Sequence, residues 1–210
     1  MRTLYVIAHP ESAHHVDGLV GGWYDSELTA GGLAAAAQIA EELRARIPDG
    51  AEVELFSSDL LRAQQAAEVI GARLGTVPVI DRALREKSYG VAEGKPQAWL
   101  RERFVTPPAT GERLGHDEGI AGAETMGGLA RRVYAAMDSI LARGGEHQII
   151  VTHGGTLTFV VGAFLGLPWE TLGYARFRGP SGSITELRED DYFHNRELVG
   201  LGDTGHLRRE

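Results

Sequence analysis

Two short apolar runs organise the chain, Leu4-Tyr5-Val6-Ile7-Ala8 and Ile149-Ile150-Val151-Thr152, and each leads directly into a histidine, His9 and His153. Short β-branched runs closed by Pro or Gly predict buried strands. Between them the apolar spacing turns helical. Thr29 is placed to cap a helix whose stripe is Leu33, Ala36, Ala40, Leu43 and Ile47. Pro48-Asp49-Gly50 reads as a turn, residues 53–56 as a second strand. Ser57-Ser58-Asp59 then offers capping side chains to a helix over about 60–74, followed by a short strand at 77–80. A long helix begins near Glu124, with Leu129, Val133, Met137 and Ile140 at helical spacing, and a further helix over 154–165 follows the His153 strand. A late strand is predicted at 183–187, while the polar tail 189–210 gives no assignment. Strand and helix alternate. That order predicts an α/β fold, a three-layer α/β/α sandwich around a mostly parallel sheet.

Residues 81–123 break the pattern, with Pro96, Pro107, Pro108, several glycines and little periodicity. Such a stretch reads as an insertion lying over a site, a lid rather than a second domain. A chain of 210 residues is long enough for one well-buried core and short for two, so a single domain is expected.

Composition narrows the function classes. The net charge of -8 disfavours nucleic acid and anionic membrane surfaces as partners. A local Arg and His cluster can still attract an anionic substrate. The absence of cysteine removes disulfides, thiolate metal sites and thiol nucleophiles together. The apolar run before His9 is too short for a signal-peptide core, and no segment approaches membrane-spanning length. A cytoplasmic protein is expected.

In open α/β sheets ligands bind at the carboxyl ends of the strands. His9 and His153 both leave strands there, and Gly154-Gly155 lets the backbone approach a ligand closely. Arg62 falls in the first turn of its helix if Asp59 is the cap. A cation there opposes the helix dipole unless it faces a bound anion; the alternative is an exposed pair with Asp59 or Glu68. Glu86 stands at the start of the irregular stretch.

Together these blocks resemble the histidine phosphatase superfamily, the phosphoglycerate mutase-like family, which opens with a strand followed by Arg-His-Gly-Glu-Thr/Ser. The matching run here is Ala8-His9-Pro10-Glu11-Ser12. The resemblance continues in order through Asp25-Ser26-Glu27-Leu28-Thr29, Ser57-Ser58-Asp59-Leu60-Leu61-Arg62-Ala63 and Leu84-Arg85-Glu86 with Tyr89-Gly90 and Glu93-Gly94. It ends with Gly122-Ala123-Glu124-Thr125 and Val151-Thr152-His153-Gly154-Gly155. It implies hydrolysis of a small-molecule phosphate monoester with no metal or cofactor, and is compatible with a homodimer. His9 would be the nucleophile that forms a phosphohistidine. Arg62 and His153 would hold phosphoryl oxygens, and Glu86 would protonate the leaving oxygen and then activate water. The wider phosphate pocket implied by the same resemblance includes Glu11, Ser12, His15, Arg85, Glu124 and Gly154. Mutase activity is less expected.

Ala8 and Pro10 depart from the family's arginine and glycine. An arginine there would make forked contact with phosphate, and Pro10 lacks an N–H. His14, His15, Arg85 and Arg113 are conceivable substitutes, although His14-His15 reads first as a solvated loop pair. Trp23, Tyr24, Tyr89 and Trp99 could line the substrate side of the cleft. A repurposed or weak enzyme acting as a ligand-binding module is a second reading. A third is zinc chemistry, because Ala8-His9-Pro10-Glu11 is similar to the Ala-His-Pro-Asp-Asp opening of a zinc-dependent deacetylase family, with His9, His14, His15 and Asp17 as ligands. That similarity stops at one strand.

Overall fold

The computed structural model describes residues 1–207. Strands β1 (Arg2–Ala8), β2 (Val53–Ser57), β3 (Val79–Ile80), β4 (His147–Thr152), β5 (Ile184–Glu189) and β6 (Arg196–Asp203) form one sheet in the order β3-β2-β4-β1-β5-β6. β1 runs parallel to β4, and β2 parallel to both β4 and β3. β5 and β6 add antiparallel strands at one side. Along β1, Leu4, Val6 and Ala8 enter one core and Tyr5 and Ile7 the other, so both faces are buried. That is why the run is continuously apolar rather than alternating.

Helices α2 (Ala30–Arg46) and α3 (Leu61–Leu74) cover the Tyr5 face; α5 (Met126–Ala142) and α6 (Thr156–Phe164) cover the Leu4 face. Thr29 caps α2 through Gly32 N–H. The buried stripe of α2 is Gly32, Ala36, Ile39, Ala40 and Leu43, and Leu33 is instead 42% exposed.

Three expectations need correction. Asp59 does not cap α3: its carboxylate takes a forked pair of bonds from Arg85, at 2.6 and 2.7 Å, and Leu61 N–H goes to Asp25 Oδ1. A charged fork outcompetes a neutral cap. The tail forms edge strand β6, which sequence missed because its exposed positions, Val199 and Leu201 among them, carry no core face. The end of that tail, 208–210, lies outside the described residues. His14 is also not a solvated loop residue. It lies on the short helix α1 (Ala13–Val16), 5% exposed, with Nδ1 bonded to Ser26 Oγ at 2.7 Å.

The irregular stretch holds short helical turns, the helix α4 (Gln97–Arg101), and a small core of Val20, Ala92, Leu100 and Ile120. Gly90 (φ +51) sits where a Cβ would strike the Ala121 carbonyl, which closes this segment on itself.

Candidate active site

The pairing of β1 with β4 places Ala8 opposite Thr152, so the next residues, His9 and His153, leave the sheet side by side. His9 N–H is bonded to Thr152 O at 2.9 Å, and the two imidazoles meet edge to face with centroids 5.0 Å apart. His9 is 6% exposed and lines a cavity of about 290 Å³. Its Nδ1 donates to Pro10 O at 2.8 Å, which leaves the Nε2 lone pair to face Arg62, whose Nε–H lies at 3.2 Å. The first turn of α3 brings Arg62 in, 1% exposed, and its remaining bonds go to Tyr24 O (2.9 Å) and Gly22 O (2.7 Å). Neither Asp59 nor Glu68 pairs with it.

His153, also buried, does not line the cavity. Its Nε2 is 2.9 Å from Ser58 Oγ, and its Nδ1 is buried without a partner among the described residues. Ser58 Oγ also accepts from Leu60 N–H.

Glu86 lines the cavity from the irregular stretch. Its carboxylate accepts from Gly155 N–H and Lys87 N–H, both at 2.8 Å. A Cβ at Gly155 would collide with Glu86 Oε1, so only glycine allows this approach. Arg132 fixes the segment from behind, with bonds to the carbonyls of Ala83, Arg85 and Glu86 and a forked pair to Glu124.

Burial first, and the Arg62 charge second, hold His9 and His153 well below the ordinary histidine range. Burial lowers His15 as well and brings His14 down to about 3. All four rings are neutral near pH 7. In the unfolded chain they titrate near 6.5, so below that pH the unfolded state binds more protons than the folded one. Stability is therefore complete above pH 6.5 and falls as pH drops through it, each of the buried rings His9, His14 and His153 adding up to about 1.4 kcal/mol per pH unit. Carboxylates with lowered values act only around and below their ordinary values, 3.8 for Asp59 and 4.5 for Glu54. Thermal unfolding between pH 7.5 and 5.5 isolates the histidines. A midpoint falling steadily across that window is expected, and a flat one would refute the neutral cluster.

The structure brings His9, Arg62, Glu86, His15 and Gly154 to the cavity, with His153 buried against His9. His15 is stacked on His9, 5.4 Å between centroids and 8° from parallel. Four other expected phosphate-pocket residues do not line it. Glu11 accepts from Thr29 Oγ1, and Ser12 is buried under α1 as its N-cap. Arg85 is held by Asp59 and Glu124 by Arg132. Trp23 donates to Glu86 O and lies beneath Arg82 and Arg85, whereas Tyr89 does line the cavity. Sequence reading missed Arg176, Gln97 and Ser181 on the lining, and Arg132 behind it. An arginine on a loop or mid-helix carries no local signal of such a role. The three neighbouring histidines are not a metal centre: no group of three His, Asp or Glu among the described residues could hold an ion. No described helix is long and apolar enough to cross a membrane.

A model of the histidine phosphatase superfamily (branch 1) matches residues 4–203. A probable phosphoglycerate mutase of Yersinia pestis (strain Pestoides F) is 32% identical over 214 residues, spanning 99% of this chain and 95% of its own. The mycobacterial glucosyl-3-phosphoglycerate phosphatase solved with VO3 superimposes with a TM-score of 0.78 at 25% identity, over 97% of this chain and 100% of that one. The alpha-ribazole phosphatase of Shigella flexneri gives a TM-score of 0.77 over 96% of each chain; at 22% identity it speaks to the fold alone.

Proposed function

The chain belongs to the histidine phosphatase superfamily, and on that premise we propose that it hydrolyses a small-molecule phosphate monoester, without a metal, through a phosphohistidine on His9. The observation that carries this reading is the state of His9. Its ring is neutral, its Nδ1–H is tied to the Pro10 carbonyl, and its Nε2, at the cavity lining, accepts from Arg62 Nε–H, a bond it gives up as it attacks phosphorus.

In the first step Nε2 bonds to phosphorus as the ester P–O bond breaks, and protonated Glu86 gives its proton to the departing alkoxide. In the second, Glu86 takes a proton from water as water oxygen bonds to phosphorus and the N–P bond returns its electrons to His9. The products are an alcohol and inorganic phosphate. A covalent nucleophile divides one hard displacement into two. Arg62 has five N–H groups, of which three serve His9, Gly22 and Tyr24. The others, with His15, are the donors this reading assigns to phosphoryl oxygens, while His153 packs against His9 from behind.

The pocket is atypical at Ala8, where the family resemblance leads to arginine. Arg176, on the lining and without an ion pair among the described residues, is the cation assigned to that work. Ala8 is 2% exposed, and the Cβ position of Gly179 lies 3.7 Å from its own Cβ. Ala8 lines the cavity beside Gly179 and Ser181, so an arginine side chain there would crowd that segment and take up space in front of Arg176. Ala8→Arg is therefore expected to lower the unfolding temperature, since overpacking costs about 1–3 kcal/mol, and to leave turnover no higher. A stable variant with faster turnover would show that position 8 lacked only a charge.

Hydrolysis is preferred over the mutase reaction named for the Yersinia relative. Returning phosphate to a bound product calls for a strongly cationic pocket, and here only Arg62 and Arg176 line the cavity as guanidiniums among the described residues. The test is a panel of phosphate monoesters assayed with and without chelator, with an alkaline denaturing quench to trap an acid-labile phosphoenzyme. Chelator-insensitive turnover with a trapped intermediate is expected. Retained phosphate binding without turnover would favour a ligand-binding module, and chelator-sensitive amide hydrolysis would favour zinc.

A further inference from the structure

A second cavity, of about 360 Å³, adjoins the first and shares Glu86, Tyr89, Gly155 and Arg176 with it. Its size is at the small end of ligand pockets, roughly 300–1,000 Å³. The shared wall decides what it is for. A proton donor to a leaving oxygen must be within hydrogen-bond reach of that oxygen. If Glu86 is that donor, the ester oxygen lies at the junction, with phosphorus on the His9 side. The carbon skeleton of the alcohol then extends the other way, into the second cavity.

The lining of this cavity is of two kinds. Phe104, Leu114, Met126, Leu129 and Leu172 supply apolar surface. Three cations face it as well, Lys87, Arg113 and Arg176, and they differ; Arg176 stands on the shared wall and is the one already assigned to the phosphate side. Lys87 is neutralised by Glu118, with Nζ and Oε2 2.6 Å apart and both side chains largely buried. Arg113 has no ion pair among the described residues. Its guanidinium lies over the Tyr174 ring at 4.8 Å, and its Nε is buried without a partner. The adjacent Glu112 carboxylate is occupied by the N–H groups of Leu114 and Gly115. Arg113 is thus an oriented, half-buried cation without an ion pair among the described residues, and it lines this cavity but not the one around His9. Buried charges are ordinarily paired.

We propose that Arg113 is a specificity residue: it binds an anionic substituent on the leaving group, so that the preferred substrates are phosphate monoesters of alcohols with an apolar body and a carboxylate or similar anion. This rests on the hydrolase reading, because Glu86 as proton donor is what aims the alcohol at the second cavity. Tyr89, on the wall between the two cavities, is in place to contact the bridging region.

The test compares phenyl phosphate with 3- and 4-carboxyphenyl phosphate in the wild type, Arg113→Gln and Arg113→Lys. The carboxyl group also alters the leaving group chemically, so the informative quantity is the kcat/KM ratio of carboxylated to plain ester, followed from wild type to variant. In Arg113→Gln that ratio is expected to fall by about 10–100-fold, the worth of a hydrogen bond to a charged group, mostly through KM. Arg113→Lys should recover part of it. An unchanged ratio, or equal loss on both esters, would overturn the role given to Arg113 while leaving the hydrolase intact. No turnover of either ester by the wild type would instead overturn the hydrolase reading, and this proposal with it.

Discussion

His9→Ala is expected to lower turnover of every ester the protein accepts by about 10³-fold or more and to abolish the acid-labile phosphoenzyme. No neighbouring histidine has its Nε2 on Arg62 as His9 does. His14 Nδ1 is held between Ser12 and Ser26, and His15 Nδ1 is engaged with Ser12. His153 is buried off the lining, with Nε2 bonded to Ser58. The substitution leaves Arg62 bonded to the carbonyls of Gly22 and Tyr24, so the site should stay folded and still bind inorganic phosphate. Rapid-quench assays beside thermal unfolding and phosphate titration check all three points. Retention of more than a tenth of wild-type turnover in a folded variant would exclude His9 as the nucleophile.

The second large effect concerns Arg62, because the proposed reaction and the fold draw on the same side chain. Arg62→Gln should lower kcat/KM by about 10²–10³-fold, the usual loss when a preorganised donor to developing charge is removed. It should also strand the Gly22 and Tyr24 carbonyls, at about 1–3 kcal/mol for each buried acceptor left unpaired. The unfolding midpoint should fall by several degrees or more. A third readout separates this from mere loosening. Arg62 is the second cause, after burial, of the lowered His9 value. Without its charge His9 becomes easier to protonate, and the acid limb of kcat/KM moves to higher pH. An acid limb that stayed in place would mean that Arg62 does not act on the nucleophile electrostatically.

The parts of this molecule legible in the sequence are those set by local pattern. The β1 and β4 runs, the Thr29 cap and the spacing of Leu129, Val133, Met137 and Ile140 follow from burial and capping rules that act within a few residues. The histidines were legible because a strand end is a position that sequence alone can mark. Asp59 and β6 were not legible. Asp59 has the right spacing for a cap, and only the arrival of Arg85 from 26 residues away redirects it. β6 has no fully buried residue, and Leu198 with two glycines makes its half-buried side too weak a period to mark a strand.

The same division runs through the site. By itself the sequence determined the layered α/β architecture and a set of side chains suited to phosphoryl chemistry, since strand ends, caps and apolar periods are short-range properties. Tertiary structure alone decided which of them meet. It withdrew Arg85 and Glu124 into ion pairs, buried His153 against His9, and set Arg176 and Arg113 along two adjoining cavities. The physical reason is that a charged side chain goes to the best partner within reach, and reach is fixed by how distant segments pack.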